Sequence, residues 1–268
     1  MGSTGAGARG KVLTPPDMQQ TIENNGVKLA FNHTPADHHT GVIFCGGFNS
    51  SRNGQKALAL EAICAREKIP YTRFDYSGHG DSDGKFNEGS IDTWLSDTLC
   101  IFDHIEKPQR HILIGSSMGA WIAVLAAKQR KARLAGLITI AAAPDFTERL
   151  IKQRFTAQQL AEFDQHGQVL LPSQYDDGSP YPITATLINN SRQHCLLDDD
   201  IAIDVPVRML HGTGDTDVPY RLSIELLHKL ITSDAQLTLI QNGDHRLSDP
   251  PHLQVLEHTL LALCRVGM

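Results

Sequence analysis

No two cysteines in this 268-residue sequence stand at C-x-x-C spacing; the five present, Cys45, Cys64, Cys100, Cys195 and Cys264, are odd in number and scattered. That argues against a redox pair, a structural zinc site and a disulfide framework, and it fits a reducing compartment. A positive excess is lacking too. Lys and Arg number 24 against 30 Asp and Glu, a net charge of -6, so the chain lacks the surplus that phosphate neutralisation requires and no nucleic-acid partner is expected. Apolar runs such as residues 134–143 fall well short of the roughly 18 to 20 residues of a membrane span, and no basic flank with an apolar stretch opens the chain. The expectation is a cytoplasmic protein, with the mitochondrial matrix as the alternative if the source is eukaryotic. Internal repeats and period-three glycines are absent, and 22 Gly and 13 Pro are ordinary counts.

With 41% hydrophobic and 20% charged residues, the chain can bury one large core, removing about 70 to 75% of the unfolded surface. A single domain spanning 1–268 is expected, with residues 1–10 (MGSTGAGARG) as a flexible tail outside the fold. From Gly41 onward, short β-branched or apolar runs alternate with longer stretches of helical period, the pattern of βαβ units around a parallel sheet. Strands are expected at 41–45, 71–74, 111–115, 134–141, 207–211 and 236–241, mostly continuous in apolar character as fully buried strands are. Helices are expected at 54–66, 91–106, 118–128, 220–231 and 252–264, and residues 19–32 are placed as antiparallel edge strands. Residues 145–204 break the rhythm. They offer one amphipathic helix over 147–163, carrying Leu150, Ile151, Phe155, Leu160 and Phe163, and then turn-rich sequence with Pro172, Asp177-Gly178, Pro180 and Pro182. A segment of that length inside a compact domain is expected to be a lid or cap insertion.

The most informative stretch is a buried strand that runs without a loop into a helix, with Gly115-Ser116-Ser117-Met118-Gly119 at the junction. This is G-x-S-x-G in its required context, where side chains two positions either side of the central serine would strike neighbouring backbone. Ser117 has glycines at both flanks; Ser116, flanked by Ile114 and Met118, is read as a packing or hydrogen-bonding neighbour. The alternative for Ser117 is a tight structural turn. A serine hydroxyl needs an adjacent base, itself oriented by an acid. Downstream, the loop after the 207–211 strand supplies Asp215 as the acid, with Asp217 and Asp145 as competitors. The loop after the last strand supplies His245 as the base, in the chain order Ser, Asp, His. His211 is read as a hydrogen-bonding member of the acid loop and His79 as a structural residue of a glycine turn.

A tetrahedral intermediate needs two backbone donors. Met118 N–H, at the start of the helix after Ser117, and Phe48 N–H, after Gly46-Gly47, are assigned to that oxyanion hole; Cys45 is read as a core thiol. Leu150, Ile151, Phe155, Leu160 and Phe163 of the expected lid helix are assigned to the roof of an apolar acyl pocket, Phe155 and Phe163 as its substrate-binding residues, against the simpler alternative that they only pack on the core. No metal cluster or dinucleotide fingerprint is present, Gly78-His79-Gly80 being too short to count, so no cofactor is expected.

Taken together, the elbow at 115–119, the Asp215 and His245 loops and the Gly46-Gly47 turn resemble the α/β-hydrolase fold family over residues 41–264. Residues 41–57 and 73–84 more narrowly resemble the group of mitochondrial palmitoyl-protein thioesterases and mycophenolic acid acyl-glucuronide esterases and their bacterial relatives. The resemblance implies a mostly parallel sheet with helices on both faces and a serine hydrolase for acyl esters or thioesters, its substrate a small acyl compound or an S-acylated protein. Cys45 departs from the proline or histidine that relatives often carry, and little of the lid can be matched. Rival readings are a catalytically silent binding protein on this fold, and an aminopeptidase or cofactor-free haloperoxidase using the same three residues. Haloalkane dehalogenases and epoxide hydrolases need an aspartate where Ser117 stands.

Overall fold

The computed structural model describes residues 19–172 and 180–265. The tail expected over 1–10 and the turn at Asp177-Gly178 lie outside the described residues. In chain order the elements are β1 (Gln20–Asn24), β2 (Val27–Thr34), β3 (Thr40–Cys45), α1 (Gln55–Glu67), β4 (Tyr71–Phe74), α2 (Ile91–His104), β5 (Arg110–Ser116), α3 (Met118–Gln129) and β6 (Leu134–Ile140). A π-helical turn at Thr147–Ile151 then leads into α4 (Lys152–Arg154), α5 (Ala157–His166), β7 (Gln168–Leu171), β8 (Tyr181–Thr184), α6 (Ala185–Ser191) and β9 (Ile201–Ala202). The chain closes with β10 (Val207–Gly212), α7 (Arg221–Lys229), β11 (Leu230–Ile231), β12 (Ala235–Ile240) and α8 (Pro250–Arg265).

Eight strands form one sheet in the order β1-β2-β4-β3-β5-β6-β10-β12. The β1/β2 and β2/β4 pairs are antiparallel and the remaining pairs parallel. Strand side chains alternate between two cores, because successive residues of a strand point to opposite faces. Ile43, Leu113, Leu137 and Met209 face a core shared with α2, α3 and α7. Val42, Ile112, Ile138 and Leu210 face the core under α1 and α8. Helix α3 is buried from Met118 through Ala127, which explains why its sequence is apolar all round rather than on one stripe.

The strands and helices expected from 41 to 134 stand within one or two residues of the observed ones, and the departures come later. The single helix expected over 147–163 is broken: Phe155 is extended, and Thr156 caps α5 through a reciprocal capping box with Gln159. The turn-rich sequence after it contains a hairpin, β7 with β8, in which Pro182 stands opposite Leu170. That position is open to proline because a two-stranded sheet consists of edges. The helix expected to reach Ile231 stops at Lys229, where Leu230 turns to an extended conformation and β11 pairs with β9. The last sheet strand, expected to be buried, is the sheet edge and lies half in solvent, with Leu239 exposed.

A buried carboxylate ties two loops to this frame. Asp75, after β4, is buried and receives the Arg52 guanidinium, the Arg52 backbone N–H and, at 2.9 Å, Asp81 N–H. Arg52 also donates to Asn32, so one ion pair joins the loop after β3 to β2 and to the loop after β4. Replacing Arg52 by Met leaves the Asp75 carboxylate buried without its cation, and the expected loss of stability is about 3 to 5 kcal/mol. Thermal unfolding of Arg52→Met beside the wild type measures it; an unchanged midpoint would show that the pair contributes nothing net.

Candidate active site

The strand-to-helix junction at Ser117 is sterically demanding, and the sequence meets the demand with glycine. A Cβ at Gly115 would stand 2.3 Å from Gly119 O, and a Cβ at Gly119 would stand 2.2 Å from the carbonyl oxygens of Cys45 and Gly46. Only glycine fits at either flank, and the backbone of Ser117 takes up the turn at φ 57° and ψ -120°. A positive φ on a residue with a side chain is strained and persists only where the surroundings enforce it. Here Ser117 N–H donates to Ile140 O at 2.9 Å, while Ser117 O accepts from Ala120 and Ala143. The result is a serine side chain presented at the carboxyl ends of the parallel strands, on the wall of a cavity of about 310 Å³.

Ser117, His245 and Asp215, widely separated in sequence, meet there. His245 Nε2 lies 3.0 Å from Ser117 Oγ, and His245 Nδ1 lies 2.7 Å from Asp215 Oδ2. The Asp215 side chain is fully buried and amply hydrogen-bonded. Its Oδ1 accepts from the N–H groups of Asp217 and Val218 at 2.9 and 2.8 Å, and its Oδ2 also accepts from His211 Nε2 at 3.1 Å. His211 is fixed in turn by Ser223 Oγ, 2.7 Å from its Nδ1, and by Val218 O, so its Nε2 carries a proton for two acceptors. Burial alone would raise the Asp215 carboxyl, but the hydrogen bonds from His211 and His245 outweigh it and hold the group well below the usual carboxylate range.

The competing acids have other places. Asp145 is fully buried and accepts from Leu196 N–H and Leu197 N–H at 2.8 and 2.9 Å, so it ties together the two ends of the 145–204 segment; burial raises its carboxyl. Asp217 lines the cavity rather than capping α7, whose N-cap residue is Tyr220. Asp215, Asp217 and His245 place potential ligand atoms within 4.8 Å of one another, but Asp215 and His245 are already hydrogen-bonded to each other, and His245 to Ser117.

Phe48 and Met118, the expected oxyanion donors, line the same cavity as Ser117. A Cβ at Gly47 would lie 3.5 Å from Ser117 Cβ, so the loop after β3 abuts the serine. Among the described residues neither Phe48 N–H nor Met118 N–H donates to a protein acceptor. His79 supports this loop: its Nε2 accepts from Asn49 N–H and its Nδ1 faces Ser77 O, both at 3.3 Å. Burial pulls the His79 imidazole down to about 4, so it is neutral at pH 7. Burial also pushes the Cys45 thiol up to about 12, leaving it unreactive at the end of its strand.

The cavity wall is the expected one only in part: of the lid-helix residues, Leu150 and Ile151 line it. Phe155 and Phe163 pack against each other with ring centroids 5.7 Å apart and planes tilted by 43°, and are absent from the lining. The apolar wall comes from the expected Leu150 and Ile151 together with Phe48, Phe146, Leu171, Tyr181 and Ile183. Phe48 makes edge contacts with Phe146 and Tyr181 at 5.9 and 5.4 Å. The sequence signal for Phe146 was its place beside Asp145 in the loop that follows β6. For Tyr181 and Ile183 no signal existed without the hairpin pairing.

Residues 36–179 match the family described as serine aminopeptidase, S33. The chain is 36% identical over 221 residues to the mitochondrial palmitoyl-protein thioesterase ABHD10 of Bos taurus, covering 82% of this chain and 71% of that protein. The Homo sapiens protein of the same name is 34% identical with the same coverage. Among solved structures, a putative hydrolase from Agrobacterium vitis S4 superposes with a TM-score of 0.87 at 34% identity, over 92% of this chain and 98% of that one. The mouse α/beta hydrolase domain-containing protein 10 superposes with a TM-score of 0.85 at 30% identity, over 94% and 100%.

The depressed Asp215 carboxyl has a consequence for stability. Its folded value lies below the roughly 3.9 of an unfolded aspartate, so its contribution is present above that pH and is lost as pH falls through the folded value. The melting temperature of Asp215→Asn is therefore expected to lie below that of the wild type at neutral pH, with the gap closing from pH 5 towards pH 2 to 3. A gap independent of pH would show that Asp215 gains nothing from ionisation in the fold.

Proposed function

This chain belongs to the α/β-hydrolase family described as serine aminopeptidase, S33, and on that premise we propose that it is a serine hydrolase of acyl esters and thioesters working through an acyl-enzyme. The observation that carries the proposal is the continuous line from Asp215 through His245 to Ser117, with bonds of 2.7 and 3.0 Å, at a strained elbow opening on an apolar cavity. Ser117 Oγ attacks the acyl carbonyl carbon while its proton passes to His245 Nε2. Asp215 stabilises the imidazolium, and Phe48 N–H and Met118 N–H receive the negative charge that develops on the carbonyl oxygen. Collapse of the tetrahedral species breaks the bond to the leaving oxygen or sulfur, which takes the proton from His245. Water then adds to the acyl-enzyme by the same route, releasing the carboxylic acid and restoring Ser117.

The wall of Phe48, Phe146, Leu150, Ile151, Tyr181 and Ile183 suits an acyl chain, and the thioesterase names of the relatives support the same reading. The charged side chains that line the cavity argue against an aminopeptidase. Among the described lining residues the cations Lys56, Arg154 and Arg246 outnumber the single carboxylate Asp217, a balance that repels a free amino terminus. A silent binding protein would have no use for the strain at Ser117 or for two unspent N–H groups beside it. Residues 145–204 supply Phe146, Leu150, Ile151, Leu171, Tyr181 and Ile183 to the wall, and their proposed role is the roof over the acyl group within a single-domain protein. The names of the relatives also support a mitochondrial location, and no helix among the described residues is long and apolar enough to cross a membrane.

A fluorophosphonate probe is expected to add once to the wild type and not to folded Ser117→Ala, as read by intact mass. The same substitution is expected to lower kcat on an aryl ester by about 10⁴ or more. Labelling or near-normal hydrolysis by Ser117→Ala would overturn the assignment. Leu150→Trp is expected to shift kcat/KM towards shorter acyl chains, and an unmoved chain-length profile would remove the roof from specificity.

A further inference from the structure

The proposed reaction fixes which end of the cavity receives the leaving group. His245 must hand its proton to the departing atom, so that group lies alongside His245 and the residues packed against it, while the acyl chain lies along the apolar wall. On the His245 side the wall changes character. The first turn of α1 is tied to the loop that carries His245: Gln55 Nε2 donates to Ser248 O at 2.8 Å, and Lys56 Nζ donates to Arg246 O and lies 3.4 Å from Ser248 Oγ. Lys56, Arg246 and Ser248 all line the cavity.

Lys56 has no carboxylate within ion-pair distance among the described residues. The nearby Asp244 carboxylate accepts from Leu247 N–H at 2.8 Å and stands beyond contact. Burial, partly offset by the field of Asp244, pulls the Lys56 ammonium down to about 8, as expected of a cation short of counter-charge. Helix α1 begins at Gly54 with no side-chain cap and no acid in its first turn, so the positive end of its dipole is uncompensated at the same place. All this stands in a chain of net charge -6, where a cationic wall runs against the average.

We propose that the Lys56 and Arg246 end of the cavity is a subsite for an anionic group, carboxylate or phosphate, carried by the leaving group of the ester or thioester. The inference rests on the hydrolase reading of Ser117 and adds to it a preference on the leaving-group side. An arriving oxyanion gains a charge-assisted hydrogen bond from Lys56 and gives a half-buried ammonium its counter-charge.

The test uses octanoyl thioesters of three thiols: N-acetylcysteamine, which is neutral, N-acetylcysteine, which bears a carboxylate, and coenzyme A, which bears phosphates. At pH 7 and low ionic strength, kcat/KM for at least one anionic thioester is expected to exceed that of the neutral one by about tenfold, the worth of one such contact. The excess is expected to shrink in high salt, to fall towards unity in Lys56→Met and to return in Lys56→Arg. The readout is the anionic-to-neutral ratio within each variant, and fluorophosphonate labelling verifies that each variant is folded. Selectivity from the carboxylate alone or the phosphates alone identifies which anion the subsite takes. A wild-type ratio near one for both anionic thioesters, or a ratio that survives in Lys56→Met, overturns the subsite while leaving the hydrolase intact. No turnover of any thioester together with no labelling overturns the hydrolase reading itself.

Discussion

The site depends on how closely β5 and α3 approach the loop after β3. The chain passes from strand to helix through one strained residue, Ser117, with Gly115 against the helix backbone and Gly119 against the carbonyl oxygens of Cys45 and Gly46. That contact has two effects at once. It projects the serine beyond the ends of the parallel strands, and it brings the loop that carries Gly47 and Phe48 alongside the serine. The elbow is strained, and the surrounding core bears the cost: α3 is buried along most of its length and β5 is a central strand with neighbours on both sides.

Electrostatic order is built outward from the same point. Asp215 is fully buried, yet four hydrogen bonds keep it ionised, and one of them comes from His211, itself fixed by Ser223 and Val218. The carboxylate is therefore held in one orientation towards His245 by the fold itself. Asp75 with Arg52 and Asp145 with the 196–197 backbone show the same economy elsewhere: each buried carboxylate is matched by donors from a distant segment, and each holds a loop that borders the cavity. The cavity lining then has two characters, mostly apolar where Phe146, Leu150, Ile151, Tyr181 and Ile183 contribute and cationic where Lys56 of α1 meets Arg246 of the His245 loop.

Local pattern determined much of this. A glycine at each flank of Ser117 between a buried strand and a helix, an aspartate and a histidine after later strands, and the alternation of strand and helix periods are all short-range signals, and each reflects backbone sterics or hydrophobic period that acts within a few residues. They placed the sheet strands from 41 to 140 and named the three side chains that the structure brings within hydrogen-bonding distance. Tertiary contact decided the rest. Whether 147–163 is one helix or two turned on the capping box at Thr156 competing with an apolar stripe, and the edge position of β12 turned on strand order. Lys56 gave no signal at all in the sequence, since an isolated lysine in the first turn of a helix reads as solvated until the fold packs it against the carbonyl of Arg246. Burial and pairing between distant segments are properties of the assembled molecule, and no window of sequence contains them.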